Sequence, residues 1–333
     1  MTAPTTNETA SKRPPKAIAT TLIVAIPIAI ALMLFAFLGP TLASGPNNLP
    51  ISVSAPAPVT EQLTNSLAQH SPDAFDITTA TSREDVEDAI LEREAVGGIV
   101  VDAEGATVYT AGGNGTPYAQ VLTPIAGALE ATGQQVDTVD LAPTTADDPT
   151  AAGIATLALP LAFGGLLSGA AITFLLKRRP TMQLATSLLV SILGGLVAAT
   201  ILHFGYGTLA GNFWLEATAI ATGIAALSLF TVGAGSLLGA AGIGLTAALT
   251  IFIANPLSGL ATGPWWLPAG WATFGQWLPI GATGNLVRSI AFFDGAGTHG
   301  SWWILAGWIL VGLALLAASA RKNSGEQATA TAE

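Results

Sequence analysis

Few side chains in this sequence can do chemistry, and they stand far apart. Arg288 and Asp294 lie in WLPIGATGNLVRSIAFFDG (277–295), where charge is otherwise missing. They lie six positions apart, too far for a helical i, i+4 pair, so each is expected to meet water, a headgroup phosphate or a partner elsewhere. Pro279, Gly281 and Asn285 precede the arginine in the same stretch. His203 and Glu216 bracket a short polar loop and could pair, although one histidine and one glutamate near an interface are more often solvated. His70 is the one histidine between 40 and 150, and no Ser-His-Asp grouping can be assembled around it. Asp147 and Asp148 could hold a divalent cation, but an acidic pair beside a proline is a weak signal. GGNGTP (112–117) lacks the lysine and the strand–loop–helix setting of a phosphate loop and reads as a turn. Cysteine is absent, so disulfides and thiolate metal sites are excluded. No ATP-binding motif is present. The expectation is a protein that is not an enzyme, with no catalytic residues, no cofactor and no metal.

The elements that must position these residues are apolar. Mean hydropathy is +0.59 and only 10% of residues are charged, against about a quarter in ordinary domains. The formal net charge of −10 is uneven: sixteen acids and two bases, Arg83 and Arg93, fall between 40 and 150, whereas four acids follow residue 150. A pI of 4.6 argues against nucleic acid as a partner. A bilayer core needs roughly 20 apolar residues per helix, and six stretches qualify: 17–38, 153–176, 182–204, 213–235, 236–254 and 301–320. The boundary between the fourth and fifth carries no charge and is soft. The first could be a cleaved signal peptide, but its apolar run is about twice the ~7–15 residues of such a segment, so an uncleaved anchor is expected. Lys12, Arg13, Lys16, Lys177, Arg178, Arg179, Arg321 and Lys322 all fall on one side if all six stretches cross, and basic loops mark the cytoplasm. The expected organisation is a cytoplasmic tail (1–16), helix 1 (17–39), an acidic α/β domain outside (40–150), helices 2–5 (151–254), an outer re-entrant segment (255–300), helix 6 (301–320) and a second cytoplasmic tail (321–333). This is a polytopic α-helical protein of the plasma membrane. Its spans are rich in Gly, Ala, Ser and Thr, which suits a compact bundle or a dimer face, or reflects no more than an Ala/Gly-biased genome.

Within 40–150 the pattern alternates strand and helix. LPISVSA, FDITTA, VGGIVVD and ATVYTAG read as strands, the last two as a hairpin around AEG. Helices are expected at 58–70 with Val59, Leu63 and Leu67 on one face, at 81–94 with Ser82 as cap and Val86, Ala89 and Ile90 inward, and at 116–133 with a kink at Pro124. The resulting βαβαββα order predicts a small α/β sandwich, with 136–150 as a linker. Residues 255–300 are too apolar for an ordinary loop. Pro256, Pro264, Pro268 and Pro279 break them, and Trp265, Trp266, Trp271 and Trp277 suit the headgroup level. One or two short helices dipping into the outer leaflet are expected, since irregular backbone at that depth must be buried in protein or line a wet cavity.

The series NPLSG…PWWLP…GQWLPIGATGNLVRSIAFFDG, with NNLPISV and AVGGIVVD in the segment after the first span, resembles the type-2 ABC exporter permeases. It is most similar to their phage-infection-protein-like (YhgE/Pip) branch. The resemblance implies a permease core that moves a lipid-linked or amphipathic molecule outward, usually as a dimer energised by a separate cytoplasmic ATPase. It also implies that Pro279, Gly281, Asn285 and Arg288 shape outer re-entrant helices above the translocation path, with Asp294, Glu216 and His203 as further path candidates. The alternative expectation is a membrane scaffold or receptor whose acidic domain docks an envelope-assembly partner. The polar tail MTAPTTNETASKRPPK and the short KRRPT loop depart from the exporter pattern, leaving little cytoplasmic surface for an ATPase.

Overall fold

A computed structural model describes residues 15–131 and 133–330. After α1 (Pro15–Ala43) the chain forms β1 (Leu49–Ser54), α2 (Ala57–His70), β2 (Phe75–Thr79), α3 (Arg83–Leu91), β3 (Gly97–Val101), β4 (Ala106–Thr110), α4 (Thr116–Ala131) and β5 (Val136–Asp140). The five strands make one sheet in the order β2-β1-β3-β4-β5, with β3–β4 antiparallel and the other pairs parallel. Central β3 and β4 are buried throughout, as runs rich in β-branched residues should be. One face packs Ile51, Val53, Ile99 and Val108 against Leu122 and Ile125 of α4, with Val59, Leu63 and Leu67 of α2 at its edge. The other face meets Val86 and Ile90 of α3, and its core is completed by Phe293 from far along the chain. Ser82 caps α3 by accepting from the Asp85 amide, and α4 runs through Pro124 without ending.

The expected linker at 136–150 is a correction, because its first five residues are strand β5. VDTVD holds only two apolar residues, and as an edge strand paired with β4 alone it needs no more. Its acids suit an open edge, where charge discourages pairing with other chains. Of the acidic pair beyond it, Asp148 has a structural task. Asp148 accepts from the amides of Ala152 and Gly153, both at 2.8 Å, and so caps the next helix. Burial opposes its charge, yet those two amides hold the carboxyl below its usual range.

The helical part comprises α5 (Ala152–Leu175), α6 (Pro180–Gly205), α7 (Phe213–Leu238), α8 (Ala240–Ala254), α9 (Trp271–Gln276), α10 (Pro279–Phe292) and α11 (His299–Ala330). Among the described residues five helices are long and apolar enough to cross a membrane: α1, α5, α6, α7 and α11. This is the make-up of a multi-pass helical membrane protein. The expected span at 236–254 is shorter than anticipated. Gly239, at φ 66°, breaks the chain after Leu238, and α8 is left with 15 residues, about 22 Å of helix. Lys177, Arg178 and Arg179 join α5 to α6 at the end of the bundle remote from the sheet, where Ser319 donates to the Ser236 carbonyl. Lys12 and Arg13 lie outside the described residues.

Helix α7 is the axis of the bundle. Its most apolar window is 78% buried, against 22–39% for α5, α6 and α11 and none for α1. Lipid offers no hydrophobic drive between helices, so contact depends on close approach. A Cβ on Gly312 of α11 would stand 2.5 Å from the Leu229 carbonyl carbon, and one on Gly195 of α6 would stand 2.7 Å from the Ala217 carbonyl oxygen. These small residues are thus spent on packing within one chain. Gly312→Val should force α11 off α7 and lower the melting temperature of the detergent-purified protein by several degrees. Gly307→Val, where a Cβ meets nothing within 4 Å, should leave it unchanged.

Candidate functional site

Arg288 sits on α10, whose first turn is started by Pro279. It is 2% exposed. Its Nη1 donates to the carbonyls of Gly113 and Asn114 at 3.1 and 2.8 Å, and its Nη2 donates to the Leu260 carbonyl at 2.7 Å. One guanidinium therefore ties α10 to the 3-10 turn Gly112–Asn114 of the α/β domain and to the loop after α8. GGNGTP is this docking turn, and its glycines allow the contact. A Cβ on Gly113 would lie 2.5 Å from Phe292 Cβ, and Gly115, at φ 143°, would clash with the Thr262 carbonyl.

A second arginine converges on the same place. Arg93 is 8% exposed. Its Nε donates to Asn114 Oδ1 at 3.4 Å, its Nη1 to the Asn285 carbonyl at 3.3 Å, and it lies over the Phe293 ring at 5.2 Å. It follows α3 at φ 63°, where the Glu94 amide turns back to the Ala89 carbonyl. That is the left-handed helix-stop position that glycine normally occupies, and a side chain there costs about 1 kcal/mol. Burial, and after it the Arg288 charge, push Arg93 down to about 10, so it keeps its proton at neutral pH. Neither arginine forms an ion pair with a described carboxylate. Arg83, the other basic residue of the domain, is half-exposed and bridges Asp102 at 2.8 Å.

The remaining expected residues divide. Asn285 belongs to the cluster: its carbonyl takes Arg93 and its Nδ2 donates to Ser301 Oγ at 3.2 Å. Gly281 lets α10 press against α9, since a Cβ there would be 2.3 Å from the Gly275 carbonyl oxygen. Asp294 is exposed in a left-handed turn at φ 50° and takes no part in the arginine cluster. His203 and Glu216 overturn the expectation of solvated residues. Their side chains meet at 2.7 Å, Glu216 is fully buried, and its other oxygen accepts from the Gly211 amide at 2.9 Å. Beside them Asn212 caps α7 through the Trp214 and Leu215 amides. The pair locks the loop that presses Gly211 onto the Ile290 carbonyl of α10. Its role is thus architectural, one step away from Arg288.

Arg93 and Asn114 were not singled out from sequence as site residues. The available signal was Arg93 itself, one of two bases among sixteen acids, directly after a helix. Replacing Arg288 by Met should strand three buried carbonyls, each worth about 1–3 kcal/mol. The expected outcome is a loss of roughly 3 kcal/mol or more in thermal unfolding, with rapid proteolysis between 141 and 151 as the domain loosens. Asp294→Ala, on the surface, should stay within about 0.5 kcal/mol of the parent.

Protein-family models, curated proteins and solved structures were each compared with the chain, and none matches it.

Proposed function

We propose that the chain is a permease-like protein of the cell envelope that exports or handles a lipidic or amphipathic substrate. In this reading α8 supplies a sixth crossing, both termini are cytoplasmic, the α/β domain lies outside the plasma membrane, and α9 and α10 are outer re-entrant helices. The observation that carries the reading is the seam formed by residues 255–297. It carries exposed Trp271, Phe274 and, at the C-cap, Trp277 on the same short helix whose Ala272, Thr273 and Gln276 line a cavity shared with Arg93 and Asn285. An apolar belt adjoining a buried cationic pair suits a molecule with a greasy body and a charged end. The resemblance to type-2 exporter permeases points the same way, with a homodimer and a separate cytoplasmic ATPase as its implied partners.

A second reading, a scaffold or receptor that docks an envelope-assembly partner through the acidic domain, is favoured by one observation. Only residues 176–179 join α5 to α6, which leaves little for an ATPase to grip. Purification in mild detergent from native membranes, with mass-spectrometric identification of bound lipids and proteins, separates the two. A stoichiometric ATPase is expected for the exporter. An envelope-assembly protein without an ATPase would replace that reading with the scaffold. Orientation is tested separately, since the chain contains no native cysteine. Thr64→Cys should react with a membrane-impermeant maleimide in intact cells, and Lys322→Cys only after permeabilisation. The reverse pattern would invert the topology.

A further inference from the structure

The seam holds a cavity of about 310 Å³ whose lining does not include Arg288. Arg93 and Asn285 line it together with Trp265, Thr273, Gln276 and Gly297. Thr273 and Gly297 are exposed, whereas Arg93 is buried. Arg93 has five N–H donors, and its hydrogen bonds to Asn285 and Asn114 are long, at 3.3 and 3.4 Å. Behind it stands Arg288, whose three hydrogen bonds go to the backbone carbonyls of Gly113, Asn114 and Leu260. Two guanidinium charges thus share one buried seam with no described carboxylate paired to either. A buried charge is normally paired, and a planar fork with spare donors matches a phosphate or carboxylate.

The cavity asks for more than an anion. Gln276 donates through Nε2 to the Ser258 carbonyl at 3.0 Å, which fixes the amide, and its Oε1 is buried with no partner. Because Gln276 lines the cavity, a small turn of its side chain would bring that oxygen to a donor such as a hydroxyl attached to the anion. Trp265 supplies an apolar wall, and exposed Trp271 and Trp277 lie nearby in the chain. We propose that this cavity binds a hydroxylated anionic headgroup, a phosphoglycerol or phosphosugar, with its anion on Arg93 and a hydroxyl on Gln276. The site does not depend on transport, because a scaffold could hold the same ligand. The left-handed backbone of Arg93 fits this reading, since the helix stop alone would be better served by glycine.

That backbone also makes the test clean. Arg93→Gly suits the helix stop while removing the fork, and Thr273→Trp plugs the mouth without touching either arginine. The full-length protein is placed in phosphatidylcholine nanodiscs, and its melting temperature is followed against phosphatidylglycerol in the disc or free glycerol 3-phosphate in solution. The parent should be stabilised saturably by at least one probe, with the midpoint weakened tenfold or more in both variants. Response to phosphatidylglycerol alone identifies a lipid headgroup as the source, and an equal response to free glycerol 3-phosphate identifies a soluble ester. No stabilisation by either probe, or a parent-like midpoint in either variant, would overturn the site.

Discussion

A guanidinium withdrawn from water must find acceptors, and the arrangement of this protein depends on where Arg288 finds them. Desolvating such a cation costs several kcal/mol, and hydrogen bonds to a charged group return about 1.5–3 kcal/mol each. Three carbonyls from two separate loops are therefore needed together. That requirement brings the Gly112–Asn114 turn, the loop after α8 and helix α10 to one point. Once they meet, Phe293 closes the second face of the sheet and Tyr118 receives the edges of Trp265 and Trp266 at 6.3 and 6.0 Å between centroids. The α/β domain is thereby part of the same solid as the helices.

A different constraint governs the bundle beneath. Helix α7 is surrounded, and between lipid-compatible surfaces close packing, with a few interhelical hydrogen bonds such as Ser319 to the Ser236 carbonyl, distinguishes one arrangement from another. Glycine and alanine allow that packing by removing the side chains that would hold backbones apart. Buried Glu216 is tolerated because His203 and the Gly211 amide satisfy both of its oxygens.

Much of this was legible in the residues. The βα alternation, the Ser82 cap and the apolar stripes of α2 and α3 rest on local periodicity and appear where periodicity puts them. Arg288 was conspicuous because charge is so scarce around it. Its partners were not, since backbone carbonyls leave no mark on side-chain identity. Arg93 was hidden differently, its setting of glutamates reading as a solvated helix face. Strand β5 escaped because an edge strand needs little apolar character. The break at Gly239 escaped because one glycine among many carries its meaning only through its φ angle. Local rules thus recovered elements, while long-range polar contacts had to be observed.

The contribution of Phe293 to the sheet's core bears on how the molecule is made. Strand β5 ends at residue 140, so 293 − 140 = 153 further residues must be synthesised before that core can close. At roughly 5–20 residues per second this takes on the order of 8–30 s. Throughout that interval the face bearing Val100 and Tyr109 is covered by α3 and by Leu141 and Ala142, without Phe293. The domain that emerges first is thus among the last parts to be finished, and its maturation is timed by the insertion of helices that follow it.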